Sequence, residues 1–334
     1  MRAAIIDSPG VVRVGVVDDP TPGPNEVVLR VGACGVCGTD LHIADGEFPP
    51  TPYPIVPGHE FAGEIVAVGA EVRDLREGMR VAVDPSLFCG HCHFCRMGRG
   101  NLCENWNAIG DTVNGAFAEY VVAPAANAYV LPEGMSLREA ALVEPVSCAV
   151  HGMHRLSLRS GDTVLISGAG TMGLILLQLA VRGGASRIAV LDLNERRLEL
   201  ARTLGATTVG RDLAELREEE PLGFDCVIDA TGVPKVIGAV FDEVKRGGKM
   251  MVFGVAPAEA HVSFSPFRIY NDEITILGSM AVLHSFGPAM DLLAGGVVNA
   301  NALLTHSLPL EDFPQALAAV RAGEGVKVQV LPNG

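Results

Sequence analysis

The stretch Thr163-Val-Leu-Ile-Ser-Gly168-Ala-Gly170-Thr-Met172-Gly173-Leu-Ile-Leu-Leu-Gln178 decides the fold of the central part of the chain. Its pattern predicts a short apolar strand, a G-x-G-x-x-G turn and then a buried helix. In such a turn the first glycine permits the tight bend, and the second lets the backbone approach a pyrophosphate. The third glycine allows close packing of helix on strand. Since the N-terminus of the helix then faces the phosphates, the stretch predicts a dinucleotide-binding site.

An acidic residue follows this turn at the spacing that such a site requires. Asp192 ends the next predicted strand, 19 residues after Gly173, where a carboxylate accepts hydrogen bonds from an adenosine ribose. A carboxylate there repels a 2′-phosphate and favours NAD over NADP, although Arg196 and Arg197 stand close enough to pair with that phosphate. The plainer alternative is that Asp192 only caps the helix that begins near Asn194.

The texture of the chain changes on either side of residue 150. From about 161 to 281, apolar strands alternate with helical segments, which is typical of a parallel sheet with crossover helices. Residues 1–150 hold short β-branched runs broken by Gly and Pro, which favour a barrel-like antiparallel domain. A helix (310–322) and a strand (326–331) follow near the end, and periodicity does not assign them to either part. The predicted strands are 11–17, 26–31, 64–68, 80–83, 118–122, 163–167, 187–193, 224–229, 249–255 and 275–277.

Composition and charge exclude several classes of protein. The chain has 334 residues, enough for two domains, and 39 acidic against 25 basic side chains give a net charge of −14. Such a chain, without a basic run, repels a nucleic-acid backbone. No apolar stretch approaches the ~18 residues of a membrane span, and the N-terminus lacks the apolar segment of a signal peptide. We therefore expect a soluble, cytoplasmic protein without nucleic-acid or membrane partners.

Four cysteines form a dense cluster spaced C-x2-C-x2-C-x7-C. Zinc takes four tetrahedral sulfur ligands, and a set of four protein ligands leaves no open position, so the pattern predicts a structural site. Iron–sulfur ligation is the alternative, but that pattern calls for C-x3-C-P, and Cys103 is followed by Glu104. His91 and His93 are alternative zinc ligands within the same loop, but we expect both to be exposed loop residues instead. The four cysteines are Cys89, Cys92, Cys95 and Cys103.

A second set of metal-ligating residues is scattered over two predicted loops. Cys37, His59 and Glu60 offer a thiolate, an imidazole and a carboxylate. Three such ligands with one open position make a zinc site that acts as a Lewis acid. Taken singly, each is more often a packed or paired residue. Cys34 and Cys37 also form a C-x-x-C pair, but no thioredoxin-like context surrounds them.

With these motifs the chain resembles the zinc-dependent medium-chain dehydrogenase family, close to its polyol and threonine dehydrogenase branches. The resemblance implies an α/β architecture with a GroES-like β-rich catalytic domain, 1–150, to which 284–334 return. It also implies a Rossmann doubly wound parallel sheet at 151–283. The motifs that carry the resemblance are Cys37-Gly-Thr39-Asp-Leu-His42, Pro57-Gly-His59-Glu60-Phe-Ala-Gly63, the four cysteines, Glu144-Pro145, Gly168 to Gly173, and Gly325-Val-Lys-Val-Gln-Val330.

The resemblance also implies roles for individual residues. Cys37, His59 and Glu60 are implied as ligands of a catalytic zinc. Glu144 is implied as a catalytic residue and a fourth or exchangeable ligand. Thr39 is the implied acceptor of the alcohol proton, and His42 passes that proton to solvent. The implied cofactor-binding residues are Gly168, Gly170, Met172, Gly173, Asp192, Arg197, Phe253, Gly254, Val255, Ser279 and Met280.

The implied function is the NAD-dependent, zinc-dependent oxidation of a secondary alcohol, a polyol or sugar alcohol, to the ketone. The alternatives are an amino alcohol such as threonine as substrate, or a protein that binds NAD and zinc without catalysis. Animal sorbitol dehydrogenases place an Arg-Tyr pair after the strand that ends near Gly278, where this chain has Ser-Met-Ala, so sorbitol itself is not favoured. The loop 48–53 is expected to border the substrate pocket. The resemblance also implies a homodimer or homotetramer, with the apolar strand 275–277 near the sheet edge as the expected contact; the alternative is that this is an ordinary interior strand.

Overall fold

The structure is a computed structural model and describes residues 1–48 and 50–334; Pro49, in the predicted pocket loop, lies outside the described residues. The chain divides into two units, Met1–Ser147 with Val282–Gly334, and Cys148–Ala281. The strands are β1 (Arg2–Ser8), β2 (Val11–Val16), β3 (Glu26–Gly35), β4 (Glu60–Val68), β5 (Arg80–Val83), β6 (Ser86–Leu87), β7 (Asn107–Ala108), β8 (Tyr120–Pro124), β9 (Ala128–Val130), β10 (Thr163–Ser167), β11 (Arg187–Leu191), β12 (Thr208–Gly210), β13 (Phe224–Asp229), β14 (Val244–Val252), β15 (Thr275–Gly278), β16 (Leu304–Pro309) and β17 (Lys327–Leu331). The helices are α1 (Gly38–Asp45), α2 (His93–Arg96), α3 (Leu137–Ala140), α4 (Val143–Leu156), α5 (Thr171–Arg182), α6 (Glu195–Thr203), α7 (Leu213–Arg217), α8 (Pro234–Phe241), α9 (Pro266–Asn271), α10 (Phe286–Ala294), α11 (Ala300–Leu303) and α12 (Phe313–Arg321).

The first unit is built on a seven-stranded sheet in the order β16-β17-β3-β4-β5-β9, with β8 also paired to β3. The long strand β3 is its centre, because it pairs antiparallel with β4, β8 and β17. The predicted runs 26–31 and 64–68 are longer in the structure, since both strands extend to the point where they pair at Gly35 and Glu60. Phe117 packs on Phe313 of α12 with ring centroids 4.6 Å apart, inside the same core. The C-terminal residues are therefore an integral part of this unit.

The second unit is a six-stranded parallel sheet in the order β12-β11-β10-β13-β14-β15. The chain moves outward from β10 to β12 and then crosses back to β13, so the strand order reverses between β10 and β13. In open α/β sheets, ligands bind at the carboxyl ends of the strands at this reversal. The predicted strands 163–167 and 224–229 have the observed bounds. The strand predicted at 249–255 spans residues 244–252 in the structure. The start of β14 was not predicted because the glycine pair Gly247-Gly248 interrupts its apolar pattern. In this stretch the pairing of β14 with β13 shifts register.

The glycine-rich turn joins β10 to α5 at that reversal. Gly168 adopts a φ of +99°, which favours glycine. A Cβ on Gly173 would overlap the carbonyl oxygen of Gly168, so this position accepts no side chain while the turn keeps its shape. The predicted combination of a β-rich domain and a doubly wound parallel sheet is thus confirmed. Across the described residues, each helix is too short or too polar to span a membrane.

Candidate active site

Cys37, His59 and Glu60 converge at one end of the first unit's sheet. Their ligand atoms, one from each side chain, all lie within 4.8 Å of one another. The antiparallel pairing of β3 with β4 brings them together, because Gly35 lies opposite Glu60, and Cys37 follows two residues after Gly35. His59 and Glu60 are buried, with 6% and 1% of their surfaces exposed. A cysteine sulfur, an imidazole and a carboxylate therefore meet at one point, with the imidazole and the carboxylate buried.

Charged neighbours hold the backbone of Cys37 and the side chain of Glu60 in place. The backbone N–H of Cys37 donates to Asp40 Oδ2 at 2.8 Å, which fixes the start of α1. Lys327 on β17 forms a buried ion pair with Glu60 and donates to the carbonyl of Val36 at 3.1 Å. Glu60 and Lys327 fill the space beside Gly35. Asp40 of α1 and Lys327 of β17, which are far apart in the sequence, therefore fix the ligand set.

His59 lies between two buried carboxylates. Its Nδ1 is 3.0 Å from Asp111 Oδ1 and 3.9 Å from Asp40 Oδ1. Burial alone would lower the pKa of His59, but Asp111 and Asp40 hold this pKa well above its ordinary value. Burial raises the pKa of Asp40 to about 7. Among the described residues, Nδ1 of His59 and Oδ1 of both aspartates lack an aligned hydrogen bond. Buried polar atoms without an aligned hydrogen bond need another partner. Because they lie beside a sulfur, a nitrogen and an oxygen ligand, they fit a site for a divalent cation such as zinc.

Thr39 and His42 of α1 lie on the same helix face, three residues apart. Thr39 Oγ1 is 3.8 Å from Cys37 Sγ, so the hydroxyl stands beside the ligand set. His42 is half-buried, and its Nδ1 is 2.8 Å from Glu47 Oε2. Glu144 lies buried in the first turn of α4. Among the described residues, the group of converging ligand atoms contains Cys37, His59 and Glu60 but not Glu144.

The four clustered cysteines also bring their sulfurs together, within 4.8 Å of one another. Backbone N–H groups point at these sulfurs: Cys92 donates to Cys89 at 3.3 Å, and Cys89 and Asn105 each donate to Cys103 at 3.3 Å. Hydrogen bonds from the His91 and Cys92 backbones lower the pKa of Cys89 to about 6. Burial and the neighbouring sulfurs raise that of Cys95 to about 12. Four cysteine sulfurs so close together form a closed set of ligands that fits structural zinc.

The two histidines in this cysteine lobe are exposed, as predicted. His91 Nδ1 lies 2.8 Å from the carbonyl oxygen of Cys89. The ring of His93 packs edge-on against Phe94. In the described part of the chain, the sulfur group contains neither histidine.

In the second unit, Asp192 connects the glycine turn to the start of α6. Its Oδ2 accepts from the backbone N–H of Ala169 at 2.6 Å, and its Oδ1 accepts from that of Asn194 at 2.8 Å. The side chain of Asn194 caps α6, accepting from the backbone of Arg196 and Arg197. The alternative that Asp192 is only the helix cap is therefore wrong.

The residues expected on the nicotinamide side all follow strands β14 and β15. Because parallel strands share one carboxyl edge, they lie at the same edge as the glycine turn. The backbone N–H groups of Phe253 and Gly254 both donate to the carbonyl of Asp229, at 3.0 and 2.9 Å. Val255 and Met280 are exposed, and Ser279 is half-buried.

Two family models match the chain. Residues 23–133 match the alcohol dehydrogenase GroES-like domain, and residues 171–295 match the zinc-binding dehydrogenase model. The chain belongs to the zinc-dependent medium-chain dehydrogenases. As a member of that family it is an oxidoreductase that acts on CH–OH groups, which confirms the predicted reaction class.

Two relatives are similar in sequence to this medium-chain dehydrogenase over nearly its full length. D-arabinitol dehydrogenase 1 of Uromyces fabae is 37% identical over 100% of this chain and 97% of the relative. L-threonine 3-dehydrogenase of Aeromonas hydrophila is 34% identical, over 95% of each chain. Among solved structures, a zinc-binding dehydrogenase from Sinorhizobium meliloti bound to NADP superimposes with a TM-score of 0.95, at 36% identity and 99% coverage of both chains.

Sequence reasoning missed three charged residues that surround the ligands. Asp40 carried a local signal, because it stands three residues after the N-cap Cys37, where an acid completes a capping box. Lys327 stands in the closing motif, but only the pairing of β17 with β3 brings it to Glu60. Asp111 carried no sequence signal, since it lies on a loop far in sequence from the three ligands.

Proposed function

We propose that this medium-chain dehydrogenase is an NAD-dependent, zinc-dependent enzyme that oxidises a secondary alcohol, a polyol or sugar alcohol, to the ketone. The observation that carries the proposal is the convergence of Cys37, His59 and Glu60, with the hydroxyl of Thr39 beside them. The full-length similarity to an arabinitol dehydrogenase supports a polyol as the substrate class. The proposed domains are 1–150 with 284–334 for catalysis, and 151–283 for the nucleotide.

In the proposed mechanism, Cys37, His59 and Glu60 hold the catalytic zinc. When bound, zinc supplies a Lewis acid that makes the substrate hydroxyl more acidic. The hydroxyl of Thr39 accepts the substrate's hydroxyl proton as it gives up its own towards His42. His42, one helix turn further and oriented by Glu47, passes a proton to solvent. Glu144 lies outside the converged group, so we assign it the role of an exchangeable ligand. The cysteine lobe holds a structural zinc.

The second unit provides the proposed cofactor site. NAD, when bound, supplies the hydride acceptor, and Gly168, Gly170, Met172 and Gly173 hold its pyrophosphate. Asp192 and Arg197 hold the adenosine ribose. The carboxylate of Asp192 supports NAD as the cofactor, because it would repel the 2′-phosphate of NADP. The nicotinamide side is assigned to Phe253, Gly254, Val255, Ser279 and Met280.

The test is NADH formation, followed by absorbance, with NAD and a panel of C4 to C6 polyols, threonine and simple secondary alcohols. We expect turnover with a polyol, and loss of that turnover after incubation with a zinc chelator. Turnover confined to threonine would favour the amino-alcohol activity, which the 34% identity to a threonine dehydrogenase supports. Zinc-loaded protein that reduces neither NAD nor NADP with any alcohol would contradict an enzymatic role.

We also propose that the chain forms a homodimer or homotetramer through β15. This strand is an edge of the second unit's sheet, and its side chain Ile276 is 36% exposed. The preceding helix α9 exposes Phe267 and Tyr270, at 69% and 81%. An exposed apolar edge strand of this kind is a template for pairing with a second copy.

Light scattering at micromolar concentration should give an oligomer for the wild type and a monomer for Ile276→Lys, because the charge would be buried in the paired edge. The matched control is Val130→Lys, which adds the same charge to the exposed edge strand β9 of the other sheet. It should leave the mass unchanged. A wild-type monomer would refute the proposal.

The chain is further proposed to be cytoplasmic. Among the described residues, none of the eight cysteines forms a disulfide, and all eight are buried or half-buried. Free thiols and thiolate metal ligands persist in a reducing compartment.

A further inference from the structure

The side chain of Asp111 faces the imidazole of His59 inside the first unit. Asp111 Oδ1 lies 3.0 Å from His59 Nδ1, which is hydrogen-bonding distance, although the two groups are not aligned as in a formed hydrogen bond. Both side chains are shielded from water, with 7% and 6% of each residue exposed. Among the described residues, Asp111 Oδ1 makes no hydrogen bond elsewhere. A buried carboxylate oxygen without another partner is costly unless this imidazole satisfies it.

Contacts of the backbone place Asp111 beside the imidazole ring of His59. The hydroxyl of Thr51 donates to the carbonyl of Asp111 at 2.8 Å. The preceding Gly110 has a φ of +90° and lies directly on the Gly58–His59 peptide: a Cβ there would overlap the Gly58 carbonyl and lie 2.8 Å from His59 N. The loop that carries Asp111 is therefore fixed against the backbone of the residue that its carboxylate faces.

The other nearby carboxylate has a different task. Asp40 Oδ2 accepts the backbone N–H of Cys37 at 2.8 Å, and Asp40 Oδ1 is 3.9 Å from His59 Nδ1, beyond hydrogen-bonding distance. Asp40 thus fixes the position of Cys37 at the start of α1. This leaves Asp111 as the carboxylate within reach of the ring.

We propose that Asp111 is a positioning residue that fixes the tautomer and orientation of His59, and thereby raises the zinc affinity of the site formed with Cys37 and Glu60. An imidazole whose Nδ1–H donates to a carboxylate presents Nε2 to the metal, and the carboxylate increases the basicity of that nitrogen. The inference rests on the proposed function, because that function assigns these three residues to a catalytic zinc.

The test measures zinc affinity of the full-length protein by competition with a chromophoric chelator. Asp111→Asn keeps an oxygen acceptor but removes the charge, and Asp111→Ala removes both. Since loss of such a partner typically weakens metal binding about 10- to 100-fold, we expect roughly 10-fold for the asparagine variant and a larger loss for alanine. Where the alanine variant does not fold, the asparagine variant decides.

Two controls separate positioning from a general loss of structure. The matched variant Asp84→Asn changes a half-buried carboxylate of the same unit that accepts from Ser86 N at 2.9 Å, and it should leave zinc affinity unchanged. The four-cysteine site is the internal control, because its zinc should bind equally well in every variant. With Co²⁺ as a spectroscopic probe, the visible bands of the Cys37–His59–Glu60 site should shift in both Asp111 variants, whereas those of the sulfur site should not.

The outcomes distinguish the inference from the function on which it rests. If the wild type binds a single zinc, at the cysteine lobe, the proposed function fails. If the wild type binds two and the Asp111 variants lose no more affinity than Asp84→Asn, the function stands and the positioning role is overturned. Equal losses at both zinc sites would also overturn it, since they would report a change in the whole fold.

Discussion

Replacing Cys37 with serine should lower turnover by more than about 1,000-fold while leaving NADH binding unchanged. A serine hydroxyl does not ionise near neutral pH, so the site loses its thiolate donor and its affinity for zinc. The Lewis acid contributes several kcal/mol to stabilising the transition state, and each ~1.4 kcal/mol corresponds to a factor of ten in rate. The nucleotide turn lies in the other unit, where Cys37 has no role.

Two measurements on the purified variant check this expectation: kcat with the best alcohol of the panel, and NADH affinity by fluorescence titration. The control is Cys226→Ser, which makes the same substitution at a buried cysteine of β13 in the second unit. It should keep its turnover within a few-fold. Full activity of Cys37→Ser would rule out the assignment of Cys37 as a catalytic zinc ligand.

The reciprocal result is expected for Gly173→Ala, which should weaken NADH binding by about 100-fold and leave the zinc content at the wild-type value. The added Cβ would overlap the carbonyl oxygen of Gly168, a backbone atom that cannot rotate away as a side chain can. The turn must open, at a cost of up to ~3 kcal/mol, which corresponds to about two factors of ten in affinity.

NADH titration and metal analysis of the same preparation separate the two effects. Gly238→Ala is the matched control, because this glycine lies in α8 of the same unit and a Cβ there would meet its nearest neighbour, Val262, at an ordinary 3.5 Å. Alanine is also the better helix former. If Gly173→Ala bound NADH as tightly as this control, the glycine turn would not be the site of the pyrophosphate.

The second unit was the more predictable of the two because its signals are local. A strand, three glycines and a helix lie within the twenty consecutive residues 163–182, and β10 and β13 have their predicted bounds. The first unit is held by contacts between distant segments. Its strand β1 escaped prediction, because only its pairing with β2 and its bridges to Ala118 and Ile55 define it.

The same distinction applies to the site. Cys37 and the His59-Glu60 pair were predicted as ligands through the family resemblance, and their convergence depends on the register of β3 against β4. The residues that surround them could not be predicted from spacing. Lys327 reaches Glu60 through strand pairing, and Asp111 reaches His59 through loop packing. Neither contact leaves a periodic pattern in the sequence.

The pairing of β17 with β3 also sets an order of events during synthesis. Glu60 emerges early from the ribosome, but its buried counter-ion Lys327 arrives only after the whole of the second unit has been made. The second unit is continuous in sequence and can fold while translation proceeds. In the first unit, by contrast, β3 has no β17 to pair with and Glu60 has no counter-ion until residues 327–331 have been made. Premature termination before Lys327 would therefore release a finished nucleotide-binding half attached to a catalytic half that has not matured.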